Sequence, residues 1–293
     1  MGLLGHHPRS KSLANKSLYY IGRIEHVART VSLRHIDQEK IEIRNESSGD
    51  VLEEVELSMA PFMVYDGAIY MHQGRTFYCI KLDMDSKTAL VRPCAVRYST
   101  RLIKETTVTV RGQVGSGAPI LKGYFGPADV RTRFEAFYRI KRGTREIIDK
   151  VALFLPDSSY QTFAAYIMIP DQARRQLIDA GFDFRASCHA ASHALLNVLP
   201  LFLACDLGEV GTECEISVNL FMNRLLIYDK RNGGTGLAAQ LSTMLDKILE
   251  QALLFLDCKC EVGCPECILL PFCAAHDKNL SKKGAKHLLK LLE

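Results

Sequence analysis

Five of the chain's ten cysteines fall within the sixteen residues Cys258 to Cys273, CKCEVGCPECILLPFC. Thiolates two to four residues apart on a tight turn can converge on one ion, and Gly263 and Pro265 are the residues such a knuckle needs. The pattern C-x-C-x3-C-x2-C-x5-C offers one cysteine more than a tetrahedral ion takes. Cys258, Cys260, Cys264 and Cys267 are the compact set, and Cys273 is the spare or substitute. An all-cysteine site leaves no open position for water, so the chemistry expected is structural Zn2+ that stabilises the fold, not hydrolysis. Two other uses stay open: an iron–sulfur cluster, which four cysteines with a Cys-Pro step also serve, and free thiols.

Four further constellations carry chemically capable groups. The segment RTRFEAFYRIKRGTR interleaves six basic residues, Arg131, Arg133, Arg139, Lys141, Arg142 and Arg145, with Phe134, Phe137 and Tyr138. On a strand pair it could offer cations to DNA phosphates and rings to bases, or it is a hairpin with one solvated face and one aromatic face in the core. His189 and His193 share one helical face and could bind metal, but the carboxylate of a His-Glu-x-x-His site is missing, so buried, hydrogen-bonded histidines are expected. YDKRNGGTGLAAQL places Asn232 to Gly236 between a strand and a helix, where free amides could receive a phosphate oxygen or Thr235 could cap the helix. Lys278, Lys282, Lys283, Lys286 and Lys290 make the last helix basic, a pattern more often of a solvated face than of a DNA contact.

The elements that must position these groups divide into two kinds. From Tyr20 to about Arg111, short alternating or β-branched segments are separated by turn signals at Ser47 to Asp50, Asp66-Gly67, Gln73-Gly74 and Asp83 to Ser86. Gly112 to Gly126 reads as a connection, and VRTRFEAFYRIKRGTREIIDKVALFLP as a hairpin turning at Arg142 to Thr144. Helical signals follow Pro170: DQARRQLIDAG, then RASCHAASHALLNVLPLFLAC bent or ended near Pro200. MNRLLIYD reads as a strand. Apolar residues from Leu237 to Phe255 recur at helical spacing, predicting one long amphipathic helix over about 237–256, and a basic helix over about 281–292 closes the chain.

Composition bounds the partners only loosely. The chain has 293 residues, 47% of them hydrophobic, enough for a substantial core. Its 37 Lys and Arg against 33 Asp and Glu leave +4, too small to mark a polyanion partner, so any basic face must be local. The N-terminus lacks a secretory apolar run, and the longest mostly apolar stretch, Ala194 to Cys205, falls well below the roughly 18 residues of a membrane span. The expectation is an intracellular protein with no membrane partner, in a compartment where clustered cysteines hold metal instead of disulfides.

Several separated motifs together resemble one family. YDGAIYMHQGRTFYCIKLDMDSKTALVRPCAVRYSTR, ASHALLNVLPLFLACDLGEVG, LLIYDKRNGGTGLAAQL, CKCEVGCPECILLPFC and NLSKKGAKHLLKLL look like the C-terminal, MZB-type zinc-binding region of the Hrq/MrfA family of superfamily-two DNA helicases. The match runs in order from about Ile21 to the end. The resemblance implies a zinc domain held by four cysteines, behind two RecA-like motor domains and a winged helix, in an ATP-dependent 3′-to-5′ helicase of DNA repair. The sequence departs from that pattern in having no Walker A lysine, DEAH-type box or arginine-finger motif. On its own, the chain is therefore expected neither to hydrolyse ATP nor to unwind DNA. CDLGEVG also departs from the acidic residue and Ile-Gly that relatives show.

These readings combine into an α+β protein. Residues 1–20 are expected as a tail, 21–126 as a β-rich domain built as a meander or small barrel, and 127–293 as an α/β zinc-binding domain. The expected function is that of an accessory module of a DNA-repair helicase. Its partners would be DNA and motor domains in the same or a longer chain, and its location nuclear in a eukaryote and cytoplasmic otherwise. A stand-alone zinc-binding interaction module and an iron–sulfur protein are the alternatives.

Overall fold

The computed structural model describes residues 4–6, 18–20, 39–112, 123–144, 146–213, 223–270, 273 and 277–293. Arg145, residues 21–38 of the expected strand region and residues 113–122 of the glycine-rich connection lie outside these. Residues 1–38 form a separate unit in which β1 (Leu4–His6) pairs antiparallel with β2 (Leu18–Tyr20). The remainder, 39–293, is a second unit.

Its first sheet holds β3 (Lys40–Asn45), β4 (Val51–Glu56), β5 (Ile69–His72), β6 (Arg75–Asp83) and β7 (Thr88–Pro93), with a short helix α1 (Ala60–Met63) after β4. The order is β4-β3-β7-β6-β5, and β3 pairs parallel with β7 while the other ladders are antiparallel. The expected turns fall between these strands. Gln73 and Gly74, both at positive φ, make a two-residue hairpin between His72 and Arg75, and Asp83 Oδ1 accepts the Asp85 and Ser86 amides to reverse the chain before β7. Alternation then decides what is inside: Ile41, Ile43, Ala89 and Val91 point into the core, as successive side chains of a strand must.

The second sheet contains β8 (Tyr98–Val110), β9 (Gly123–Lys141), β10 (Ile147–Ala152), β11 (Ser158–Met168), β12 (Val210–Thr212) and β13 (Arg224–Asp229). All its ladders are antiparallel, in the order β10-β9-β11-β13-β12, with β8 also paired to β9. Thus the glycine-rich connection joins two strands of one sheet. β9 reaches both cores: Ala128 and Val130 pack beside Val108 and Leu226, whereas Phe134 and Phe137 enter the core of the first sheet. There Phe137 lies so close to Gly67, at φ +86°, that a Cβ on that glycine would sit 2.8 Å from the ring.

One face of the second sheet, presenting Ala165, Ile167, Leu225 and Ile227, is covered by helices. These are α2 (Asp171–Asp179), α3 (Phe184–Val198), α4 (Leu237–Ser242), α5 (Leu245–Leu256) and α6 (Lys282–Leu292). α3 is capped by Asp183, whose carboxylate accepts the Ala186 amide, and it ends in a 3-10 turn at Leu199–Leu201 containing Pro200. The single helix predicted over 237–256 is two. Ser242 and Thr243 hydroxyls donate to the Ala239 and Gln240 carbonyls, the Thr243 and Met244 amides tighten to residues three back, and α5 starts anew at Leu245. Apolar spacing survives this break, so periodicity alone does not reveal it.

Gly67 and Gly74 separate backbone strain from crowding. Both have positive φ, but nothing lies within 4 Å of a Cβ built at Gly74. Gly67→Ala is expected to destabilise by about 1–3 kcal/mol more than Gly74→Ala in urea denaturation, because only the first overpacks a ring. Equal losses would show that Phe137 moves aside freely.

Candidate metal centre

α5 delivers the first cysteine. Leu245, Ile248, Leu249, Ala252 and Leu256 bury one stripe of the helix, Asp257 ends it, and the Cys258 amide still donates to Phe255 O at 3.3 Å. The chain then folds tightly. Gly263, at φ +131°, lets the backbone approach Ile268, where a Cβ would come within 2.6 Å of Cγ1. The Cys267, Ile268 and Leu269 amides all donate to Cys264 O at 3.0–3.1 Å.

This turn brings Cys258, Cys260, Cys264 and Cys267 together. Their Sγ atoms lie within 4.8 Å of one another, with separations of 3.1 Å for 258–260, 3.8 Å for 258–264, 3.5 Å for 260–267 and 3.6 Å for 264–267. A tetrahedral ion with Zn–S bonds of about 2.3 Å has sulfur–sulfur edges of about 3.8 Å, so the four thiols frame the volume of one ion. Buried Cys267 Sγ also accepts the Cys264 amide at 3.2 Å, the kind of outer hydrogen bond that supports a thiolate ligand.

A cation completes the cluster. Lys282, the first residue of α6, is only 7% exposed, and its Nζ donates to Cys258 O at 2.6 Å, Cys260 O at 2.7 Å, Cys258 Sγ at 3.0 Å and Cys260 Sγ at 3.1 Å. Ser281 caps α6 by accepting the Gly284 amide, and its own amide donates to Ala186 O of α3, which fixes where Lys282 starts. The ammonium holds the Cys258 thiol down at about 6 from an ordinary 9.0. Burial works against the charge on Lys282, but hydrogen bonds to the Cys258 and Cys260 sulfurs outweigh it and keep that amine up at about 12. Burial pushes Cys267 up to about 12, so a metal must displace its proton on binding. Four thiolates around a divalent ion leave two negative charges, and Lys282 offsets one; the donor set and its surroundings fit zinc.

Lys282 therefore does not belong to the solvated face predicted for the closing lysines. The sequence does carry a signal for it: Lys282 stands on the same helical stripe as Ala285, Leu288 and Leu289, which are buried. Lys286 pairs with Asp257 just before the first cysteine, and it holds that carboxyl below its usual range.

Cys273 is placed elsewhere, with its Sγ 3.4 Å from His189 Nε2 and beside His193. Both histidines are buried, as expected, and His193 Nδ1 donates to Ile268 O at 2.7 Å. In the glycine-rich turn 230–236, fully buried Asp229 occupies three of the amides at the helix start. Its Oδ2 accepts from Thr235 N at 2.8 Å and Gly236 N at 3.0 Å, and its Oδ1 from Ala238 N at 2.8 Å. Of the two readings of this turn, the Thr235 cap does not form: Gly236 is the N-cap, and the Asp229 carboxylate takes the amides instead.

On the β9–β10 hairpin, Arg131, Arg133, Lys141 and Arg142 are exposed and Arg139 is half-buried. Arg131 pairs with Asp157 at 2.7 Å, Arg139 with Asp149 at 3.2 Å and Lys141 with Glu146 at 3.9 Å. Phe134 and Phe137 are core residues and are not available to stack on bases. The hairpin has one solvated basic face and one aromatic face in the core.

Residues 191–268, which include all four clustered cysteines, match the MrfA Zn-binding domain. The chain is 27% identical over 282 residues to the ATP-dependent helicase HRQ1 of Saccharomyces cerevisiae, covering 89% of this chain and 26% of that protein. It is 27% identical to the uncharacterised ATP-dependent helicase YprA of Bacillus subtilis, covering 82% of this chain and 33% of that one. An uncharacterised protein of Methanocaldococcus jannaschii is 34% identical over 109 residues, 97% of its own length. In fold, the chain is similar to the DUF1998 helicase MrfA solved bound to DNA, with a TM-score of 0.60 at 24% identity, covering 98% of this chain and 37% of that one. The chain thus spans about a quarter to a third of the length of the curated helicases it matches.

Removing the Lys282 ammonium raises the proton affinity of the thiolates it touches, so protons displace metal more readily. In Lys282→Met the pH at which half the metal is released is expected to move upward, and transfer to a chelator to become at least several-fold faster; Lys286→Met, on the exposed side, should change little. An unchanged release profile in Lys282→Met would remove the counter-charge role.

Proposed function

The chain belongs to the Hrq/MrfA family of DNA helicases, of which it carries the C-terminal zinc-binding region, and from that premise we propose that it is the accessory module of an ATP-dependent 3′-to-5′ helicase of DNA repair. The observation that carries this reading is the four-cysteine clasp, positioned by α5 and closed by Lys282, inside the span that matches the zinc-binding domain. Zinc holds the clasp and is structural. ATP hydrolysis belongs to motor domains in the same or a longer chain, because the sequence here has no Walker A lysine. The module acts inside the cell, in the nucleus of a eukaryote.

DNA is the proposed partner, on the basic face of the β9–β10 hairpin. MrfA, similar in fold, has been solved bound to DNA. Arg131, Arg133, Lys141 and Arg142 face solvent, with Arg139 beside them and Arg145 at the same turn in the sequence. The exposed pairs with Asp157, Asp149 and Glu146 are each worth about 0–1 kcal/mol, so a phosphate can take over these cations at small cost. Such contacts position a duplex or strand without reading its sequence.

A protein partner is the second reading. It is favoured by Phe154, 93% exposed, next to the edge strand β10 on which Ile147 and Ile148 are also exposed.

Fluorescence anisotropy with labelled DNA separates the two. Arg131→Glu with Arg133→Glu is expected to weaken binding and to reduce the slope of log affinity against log salt by about one for each phosphate no longer neutralised. Unchanged affinity and salt dependence would defeat the DNA reading. Loss of partner capture on Phe154→Asp, with DNA affinity intact, would leave the protein-partner reading standing.

A further inference from the structure

Outside the clasp, the structure gathers a second set of metal-ligating groups that the helicase reading does not use. His189 and His193, one turn apart on α3, meet Cys273 from the segment beyond the knuckle, and one ligand atom of each lies within 4.8 Å of the others. All three side chains are shut off from water, at 7%, 0% and 3% exposure. Cys273 Sγ stands 3.4 Å from His189 Nε2, close to the nitrogen–sulfur edge of about 3.5 Å of a tetrahedral site with bonds of about 2.0 and 2.3 Å. The two imidazole rings meet edge to face, 4.4 Å between centroids at 76°.

The surroundings are those of ligands. Ile268 O can only accept, so His193 Nδ1 carries the proton in that 2.7 Å bond and its Nε2 keeps a lone pair. The Asp277 carboxylate lies 3.5 Å from the same Nδ1, in the carboxylate–histidine arrangement that orients a metal-binding imidazole. The Asp277 amide donates to Cys273 Sγ at 3.3 Å and so supports a thiolate. The Leu270 amide in turn donates to the Asp277 carboxylate at 3.2 Å, which holds Asp277 in place.

We propose that His189, His193 and Cys273 form a second metal site for a zinc-class divalent cation, distinct from the four-cysteine clasp. Two imidazole nitrogens and one thiolate supply three donors, and the fourth position of a tetrahedral ion falls to water or another donor. On binding, Cys273 loses its proton to solvent and the two histidines stay neutral. The ion pins the segment after Cys267 to α3, as the clasp pins the segment before it to α6. Ile268, adjacent to the clasp ligand Cys267, carries the carbonyl that orients His193, so the two sites share a wall.

The test is zinc stoichiometry on the full chain, reconstituted under reducing conditions and freed of loosely held metal. Wild type is expected to retain two zinc ions per chain, and Cys273→Ser and His189→Asn to retain one while the clasp stays loaded. One zinc in wild type overturns the proposal, and so do two in variants that circular dichroism shows to be folded. Should both variants fail to fold, X-ray absorption of zinc-loaded wild type decides. A ligand shell containing imidazole nitrogen beside sulfur supports the second site, and a shell of sulfur alone overturns it. These outcomes are independent of DNA binding, so they leave the helicase reading to its own test.

Discussion

A buried ammonium must find opposite charge or oxygen, and a cluster of thiolates must find positive charge. In this chain Lys282 and the cysteine turn satisfy each other. Burying the ammonium alone would cost several kcal/mol, and the sulfurs and carbonyls around it offset that cost. The consequence is geometric. Lys282 opens α6, so its insertion between the Cys258 and Cys260 sulfurs fixes the start of that helix against the end of α5. Ser281 adds a hydrogen bond to α3 through Ala186 O, and one turn on, Gly284 admits Ser187 at a distance no side chain would allow. The last helix is therefore held by polar contacts at its first turn and by Leu288 and Leu289 in the core thereafter.

The second sheet is the floor on which this is built. Alternate residues of β11 and β13 divide between two cores, the helical layer on one face and the Val108, Ala128 and Val130 cluster on the other. β13 is buried along its whole length, and it ends in Asp229, whose carboxylate gathers three amides of the following turn. Those three donors replace the water the buried carboxylate gives up, and the carboxylate closes a turn that would otherwise invite an external anion. The polar groups of this turn thus serve the fold.

Much of this is legible locally. The five cysteines, the turns of the first sheet and the hairpin at Arg142 to Thr144 are all written within a few residues, where spacing and turn chemistry act. The break between α4 and α5 is not legible, because apolar spacing continues through it while two hydroxyls divert the backbone hydrogen bonds. Lys282 reads as solvated for a related reason: a lysine in a basic helix looks the same whether its Nζ meets water or sulfur. Its place on the buried stripe is the only sign.

The sequence by itself determined that four thiols could converge, because the residues that frame one ion lie within ten positions and a tight turn suffices to gather them. It also determined the alternation that sorts the strands into inward and outward faces. Tertiary structure alone decided where the fifth cysteine goes, since Cys273 meets a histidine 84 residues earlier in the chain. It alone decided that Asp229 fills the glycine turn and that β9 serves two cores. Contacts of that kind depend on how separate elements pack, and no local spacing encodes them.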